Sequence, residues 1–335
     1  MNRYDEFREQ ILDLGHSVTH FAVVLTALEL NVFEALNGEV KSVPTIAGEV
    51  RLDERALGLL MNALASLNVV QKVGNGFKLG EAAKRVFLKR SEKYMGDFIK
   101  HQRLTAQSFL ELAGVVASGK PLPFSLGGFQ NKSLEFMHDF THAMHSLAIA
   151  HAETLAKKLD LRGAKRLIDI GGGPATFAIH FLKFNPELKA TVFDLPATIE
   201  TAREYAVRFG VSDRIEFQAG DFEADPIPGG FDVAFLSHIV HGLSEEKNEA
   251  LFRKIHGSLN SGGRLIVQDF FLNDDKISPQ FAAIFALNML LHTDGGRTYT
   301  FQEVRHGLEK AGFSECSRLA LRLPRSMSVL SCKKG

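Results

Sequence analysis

Apolar positions recur along the chain with two different periods, and the change from one to the other falls near residue 160. Before it the period is helical. In RLDERALGLLMNALASLN, Leu57, Leu60, Met61, Leu64 and Leu67 return every three or four residues, which lines one face of an amphipathic helix. The next segment, VVQKVGNGFKLG, sets a Gly-Asn-Gly turn between two β-prone stretches, so a hairpin is expected. Helices beside such a hairpin make a winged helix-turn-helix, and residues 1–90 are read as that unit. Residues 91–160 continue in helical periodicity, broken at ASGKPLPFSLGGF, where Gly and Pro force a loop.

Beyond residue 160 short apolar runs alternate with helical patterns. The runs are KRLIDI (165–170), KATVFDL (189–195), RIEFQAG (214–220), FDVAFLS (231–237) and GRLIVQDFF (263–271). Strands this apolar must be covered on both faces, and the intervening helices supply right-handed crossovers between parallel neighbours. Residues 161–335 are therefore expected to form an α/β, Rossmann-like domain with a mostly parallel sheet. Ligands of such sheets bind at the carboxyl ends of the strands, where the informative residues should lie.

Composition narrows the partners. The 335 residues leave room for two domains, and 39 basic against 39 acidic residues give no electrostatic invitation to nucleic acid. The would-be recognition helix places Arg51 and Arg55 beside Asp53 and Glu54 and then turns apolar, which suits a dimer interface better than a DNA groove. Only Cys316 and Cys332 are present, which argues against a disulfide framework or a cysteine zinc site and for a reducing, cytoplasmic setting. No membrane partner is expected, because the longest nearly apolar run, FAAIFALNMLL at 281–291, is too short to cross a bilayer. It reads as a pocket or core helix. His138, His142 and His145 share a helical face, with His151 further on, but no cysteine and only scattered carboxylates accompany them. They are read as polar or pocket-lining, and no metal is expected.

The first strand of the second region ends in DIGGGPATF. Gly171, Gly172 and Gly173 let a ligand approach the backbone, and the helix starting near Pro174 adds unpaired N–H donors. The second strand ends in Asp194, 23 residues after Gly171, from where a carboxylate can accept both hydroxyls of a ribose. Taken together these fit an adenosine-containing ligand, with a dinucleotide and S-adenosylmethionine as competitors. Three details favour the second. Thr176 stands where the dinucleotide fingerprint wants a small residue, and Asp169 would attract a methionyl ammonium but repel a pyrophosphate. The third strand ends in Gly220-Asp221-Phe222, a polar and an aromatic group suited to adenine.

With LIDIGGGPATF, VFDLP, GDFEADPIPGGFDVAFLSHIVHGLSEE, SGGRLIVQDFFL and LLHTDGGRTYTFQEVRHGLEKAGF in this order, the sequence resembles the S-adenosylmethionine-dependent O-methyltransferases of the plant-caffeate and bacterial-polyketide type. The likeness covers nearly the whole chain. It implies a homodimer through an N-terminal winged-helix dimerisation region (1–90), a helical linker contributing to the active site (91–160) and a cofactor-binding domain (161–335). Carried over by motif, Gly171, Asp194, Asp221, Phe222 and Ser237 contact the cofactor, with Asp169 and Gly173 beside them, and His241 is the general base. Phe140, Met144, Phe285, Met289 and His292 lie on helices that the likeness places around the acceptor, although Phe and Met at helical spacing are commonly core. The chain also departs from the family. Gly242 and Leu243 replace the usual Asp and Trp after the base, Ala175 replaces a motif glycine, and Thr298 replaces a second acidic residue. Asp269 is left as the carboxylate that orients His241.

Full proton transfer from a phenol to an ordinary histidine before attack would cost about 5 kcal/mol, so proton removal is expected to accompany methyl transfer. Each residue also has a plainer reading: Asp194 as a helix cap, Asp221 as a turn residue, and His238 as a satisfied near-core histidine. Three alternatives stay open. The same fold and cofactor can serve C-, N- or S-methylation or a non-methylating reaction, a winged helix can belong to a DNA-binding regulator, and the glycine loop can belong to an NAD oxidoreductase.

Overall fold

The computed structural model describes residues 2–123, 132–321, 323 and 327–335, which fall into two compact units, Met1–Arg103 and Leu104–Gly335. The second half of the expected Gly/Pro loop, 124–129, lies outside the described residues.

In the first unit α1 (Arg3–Glu29) leads through α2 (Val32–Ala35) and the short strand β1 (Lys41–Ser42) into α3 (Val43–Val50) and α4 (Glu54–Ser66). Asp53 caps α4 by accepting the Ala56 N–H at 2.8 Å, as a carboxylate at a helix start should. The periodicity holds in α4, where Leu57, Met61 and Leu64 are buried. The hairpin is β2 (Gln71–Val73) and β3 (Gly76–Lys78), antiparallel and joined by a two-residue turn, with β1 added to the outer side of β3. Then come α5 (Glu81–Phe87) and α6 (Gly96–Leu110), whose last turns enter the second unit. The core of this unit gathers Phe33, Leu36, Ile46, Leu57, Met61, Leu64 and Phe87. Along α1, in contrast, Tyr4, Phe7, Ile11, Leu14 and Val18 are exposed. By length and composition α1, rather than 281–291, is the helix apolar enough to cross a membrane, and most of that stretch is uncovered within the chain.

The second unit opens with α7 (Leu112–Ser118) and α8 (Leu134–Lys158), the latter capped by Ser133. The expected strands follow as β4 (Arg166–Ile170), β5 (Lys189–Asp194), β6 (Ile215–Ala219), β7 (Phe231–Ser237) and β8 (Leu259–Phe270). Between them run α9 (Thr176–Phe184), α10 (Pro196–Arg208) and α11 (Glu245–Ser258). After β8 come α12 (Gln280–His292), α13 (Phe301–Lys310), β9 (Phe313–Leu319) and β10 (Met327–Lys334). The sheet order is β6-β5-β4-β7-β8-β10-β9, parallel through β8, with β10 antiparallel to β8 and to β9. That closing antiparallel pair is not in the sequence reading. β9 shows why: only Phe313 of its seven residues is buried, so it has no apolar run to recognise.

Alternate residues of the central strands go to opposite layers. Leu167, Val233 and Phe235 join one core with Phe177, Phe181 and Leu155, whereas Ile168, Ile170, Ala234 and Leu236 join another with Leu251, Phe252 and Leu308. This double coverage is why the strands read as continuous apolar runs. Strand order reverses at β4, which has β5 on one side and β7 on the other, so a crevice opens where their carboxyl ends diverge.

Two expectations are corrected. The cysteines are bonded to each other, Cys316 to Cys332 with Cα atoms 4.1 Å apart, because the pairing of β9 with β10 brings together residues 16 apart in sequence. Of the polar and pocket-lining readings of the α8 histidines, the solvated one does not fit His145. This histidine is buried, its Nδ1 lies 2.8 Å from the Thr176 hydroxyl and its ring stacks on Tyr205 at 3.8 Å.

Two stability measurements check this core. Phe235 is fully buried and its ring meets Phe177 at 5.3 Å and Phe181 edge-on at 5.0 Å. Phe235→Ala should lower the unfolding free energy by about 3–5 kcal/mol, read from the urea midpoint, and a loss below about 1 kcal/mol would contradict this packing. Burial, with Arg208 next, pushes the pKa of His145 from 6.5 down to about 3. Below pH 6.5 the unfolded chain takes up a proton that the folded imidazole refuses, so this group favours the fold less as the pH drops towards 3. Between pH 6.5 and 5 the protein should lose about 2 kcal/mol that His145→Gln does not lose; identical pH slopes would show that His145 is not held neutral.

Candidate functional site

The site is built where five strand ends meet their loops. β4 delivers Asp169, which is 1% exposed and has no side-chain hydrogen-bond donor, with the Ala178 N–H beside it. Burial, reinforced by the charge of Asp194, pushes its pKa up to about 7. The glycine loop follows at once. Gly171 takes φ 63°, and a Cβ there would come within 2.5 Å of the Ile239 side chain. At Gly172 a Cβ would stand 2.8 Å from the Asp169 carboxyl carbon, so the backbone passes tightly over the acid. Ala175 starts α9 with φ 59°, the conformation that the family's glycine would adopt without strain.

Asp194 ends β5. Its Oδ2 accepts the Gly173 N–H at 2.7 Å and its Oδ1 the Leu195 N–H at 2.7 Å, so it ties the glycine loop to the next strand. Burial raises its pKa against the pull of those N–H groups. The cap and ligand readings therefore describe one residue, since each carboxylate oxygen keeps a second lone pair. After β6, Asp221 accepts the Glu223 N–H at 2.8 Å and donates its own to Asp225 at 2.8 Å, a turn role, while Phe222 lies next to Gly171. Lys254 on α11, absent from the sequence reading, pins this loop by donating to the carbonyls of Phe222, Glu223 and Asp225 at 3.0, 2.7 and 2.9 Å.

β7 ends in Ser237, whose buried hydroxyl has no hydrogen-bond partner. The chain then turns sharply. His238 has φ 56°, unusual for a bulky residue, and Val240–Gly242 form a single 3-10 turn. The turn sets the two histidines against Asp269, which β8 holds at 2% exposure. His241 Nδ1 is 2.6 Å from Asp269 Oδ1, and the His241 N–H donates to Oδ2 at 3.3 Å. Burial works against ionisation of Asp269, yet the charge and hydrogen bond of His241, then His238 and the Phe270 N–H, hold its pKa below the ordinary carboxylate value. The bland expectation for His238 needs correcting. It packs 4.6 Å from the Phe270 ring, but its buried Nδ1 makes no hydrogen bond and sits 3.8 Å from the same Asp269 oxygen. Desolvation, only partly opposed by Asp269, takes its pKa down to about 3.

Several positioning groups carry no motif. Asn248 donates to the carbonyls of Val240 and Leu243 at 2.9 and 3.3 Å, and the Tyr299 hydroxyl donates to Leu243 at 2.6 Å, fixing both ends of the turn. Gly296 packs so closely that a Cβ would be 2.5 Å from the His241 carbonyl. Gln268, wholly buried, reaches His151 at 3.1 Å and His238 at 3.4 Å. A glutamine inside the apolar run LIVQDFF is the one signal that could have marked it. Thr298 is buried and donates to the Ala282 carbonyl at 3.0 Å. A Cβ at Gly242 would meet nothing within 4 Å, so the position after the histidine is open.

Of the expected pocket residues, Phe285 comes to His241, edge-on at 4.9 Å, and also meets Phe270 at 4.9 Å. Phe140 stacks along α8 on Phe136 at 6.2 Å, and Met144 is half-buried. Met289 is 2% exposed, a core position. His292 is half-buried with an unpartnered Nδ1, and burial, then Lys132, lowers its pKa.

A family model described as the O-methyltransferase domain matches residues 93–314, and another, the O-methyltransferase dimerisation domain, matches residues 12–89. The chain is 28% identical over 330 residues to 3-hydroxy-5-methyl-1-naphthoate 3-O-methyltransferase of Streptomyces sahachiroi, covering 97% of this chain and 95% of that protein. L-tyrosine C(3)-methyltransferase of Streptomyces lavendulae is also 28% identical, over 88% of this chain and 83% of its own length. Human N-acetylserotonin methyltransferase, solved in complex with S-adenosylmethionine, superposes with TM-score 0.90 at 23% identity, covering 100% of both chains, a likeness of fold. With family models matched on both sides of residue 90, the chain belongs to the O-methyltransferase family, enzymes that take their methyl group from S-adenosylmethionine.

Proposed function

We propose that the protein methylates a hydroxyl of a small aromatic or polyketide-like molecule, with His241 as general base and Asp269 as the group that orients it. The observation that carries this reading is the 2.6 Å contact of His241 Nδ1 with a buried, ionised Asp269. With Nδ1–H donating to the carboxylate, Nε2 is left as the basic nitrogen, and the carboxylate stabilises the imidazolium that forms when it takes a proton. Phe285 and Phe270 beside the ring give surroundings compatible with an aromatic acceptor.

S-adenosylmethionine, when bound, supplies a methyl carbon activated by a sulfonium. The residues that would hold it fit its chemistry. Asp169, whose carboxylate has no side-chain donor, would suit an ammonium, and the buried, unpartnered Ser237 hydroxyl would suit a hydroxyl or carboxylate. Asp194 would offer its remaining lone pairs to ribose hydroxyls, Asp221 and Phe222 would bind the adenine, and Gly171 and Gly173 would let the backbone come close. His241 then accepts the acceptor's hydroxyl proton as its oxygen closes on the methyl carbon. Asp269 keeps the imidazole in one tautomer throughout.

The exposed apolar stripe of α1 and the matched dimerisation domain support a homodimer, in which a second copy covers Tyr4, Phe7, Ile11, Leu14 and Val18. A second reading concerns the acceptor atom. The equally similar tyrosine C-methyltransferase favours it, because deprotonating a phenol activates the ring carbons as well as the oxygen.

Incubation with methyl-labelled S-adenosylmethionine and a panel of phenols, quinols and polyketides, scored by mass spectrometry with fragmentation to place the label, tests the function. Label on oxygen supports the proposal, label on carbon the second reading, and no product despite cofactor binding overturns both. His241→Ala should reduce turnover about a hundredfold or more with cofactor affinity nearly kept, and unchanged turnover would remove His241 from the mechanism. Because the Asp169 pKa of about 7 applies before an ammonium is bound, cofactor binding must strip a proton from it below that pH. Affinity for S-adenosylhomocysteine, measured calorimetrically, should weaken up to about tenfold per pH unit below 7, and Asp169→Asn should bind more weakly at pH 8 and lose the slope. A pH-independent affinity in the unaltered protein would contradict this role.

A further inference from the structure

Three side chains that the reaction does not use meet on the outer side of α8 and α10. His138 and His142 stand four residues apart on α8, and their Nε2 atoms are 3.0 Å from each other. Glu204 of α10 completes a group whose ligand atoms all lie within 4.8 Å of one another. Two imidazole nitrogens at such a separation can coexist only by sharing a proton or a cation. Their other nitrogens both have oxygen neighbours: the Tyr205 hydroxyl is 2.5 Å from His142 Nδ1, and Asp139 Oδ1 is 3.6 Å from His138 Nδ1. With His142 Nδ1–H donating to Tyr205, the His142 Nε2 lone pair faces the His138 ring, whose own Nδ1 has Asp139 beyond hydrogen-bond distance. Histidines that ligate metals are oriented in this way, by a second partner that fixes the tautomer. Tyr205 is itself held, buried and stacked on His145 at 3.8 Å.

We propose that His138, His142 and Glu204 form a site for a divalent cation of the zinc, cobalt, nickel or copper class, which clasps α8 to α10. The donor set decides the class. Two imidazoles and one carboxylate suit these borderline ions, whereas magnesium and calcium call for mostly oxygen ligands. His138 and Glu204 are exposed, so water fills the remaining positions and the cation exchanges with solvent. The clasp joins the helix that carries Phe140 and Met144 to the helix that begins two residues after Asp194, and so braces the crevice without entering it. Spacing alone shows the two histidines; only the packing of α10 on α8 supplies the carboxylate.

The test uses the full-length, untagged protein stripped with EDTA, titrated with zinc by calorimetry and with cobalt by visible absorption. The expected result is binding of one equivalent and a zinc-dependent rise in Tm. His138→Gln should weaken affinity about tenfold or more and abolish the rise, with Glu204→Gln, on the other helix, acting in the same direction. Both side chains are exposed, and urea midpoints in EDTA confirm that the variants are folded. No binding, or binding unchanged in both variants, as would follow if the cation sat on His238, His241 and Asp269, overturns the proposal.

Discussion

An ionised group removed from water needs a counter-charge or a set of donors, and this constraint separates the two carboxylates at the heart of the molecule. Asp169 and Asp269 both sit at the carboxyl ends of strands in a sheet covered on both faces, at 1% and 2% exposure. Asp269 has its partners inside the chain: the two contacts of His241, the Phe270 N–H and the nearby ring of His238. Asp169 has its charge opposed by Asp194 and by burial, with no donor on either oxygen among the side chains around it. One acid has charged and polar partners within the chain; the other has no side-chain donor and only the Ala178 N–H beside it. The glycine loop above Asp169 and the 3-10 turn above Asp269 arrange the rest of the crevice around that difference.

Rigidity around the histidines comes largely from neighbouring groups with no proposed chemical role. A bulky residue at φ 56° persists only where its surroundings over-determine it, and His238 is bracketed by the Gln268 backbone bond at 2.9 Å and the Phe270 ring. Asn248, Tyr299 and the close approach of Gly296 clamp the following turn. The position of His241 is thus a property of α11, β8 and the segment before α13 together. Gly242, with open space beside it, is the one place in the turn where a side chain could be added without displacing neighbours.

Much of this was legible in the sequence because burial on both faces leaves a signature. β4, β5 and β7 are near-continuous apolar runs, and α4 repeats buried apolar residues at helical spacing, so they could be read without a structure. β9 escaped because an edge strand exposed along most of its length has no such signature; β10, buried for most of its length, went unread with it, and the bonding of Cys316 to Cys332 depends on their pairing. His145 escaped for the opposite reason. A histidine on an amphipathic helix looks polar until the neighbours that bury it, Thr176 and Tyr205, arrive from α9 and α10.

The sequence by itself determined the mostly parallel sheet, the glycine turn and the place of Asp194 at the end of the second strand, since each follows from local periodicity or short spacing. What only the tertiary structure decided is which polar groups meet. Gln268 reaches His151 across 117 residues, and His145 meets Thr176 across 31. Hydrogen bonds and desolvation act over a few ångströms in space, and the chain encodes that proximity only through the packing of whole elements, so no local pattern could have named those pairs.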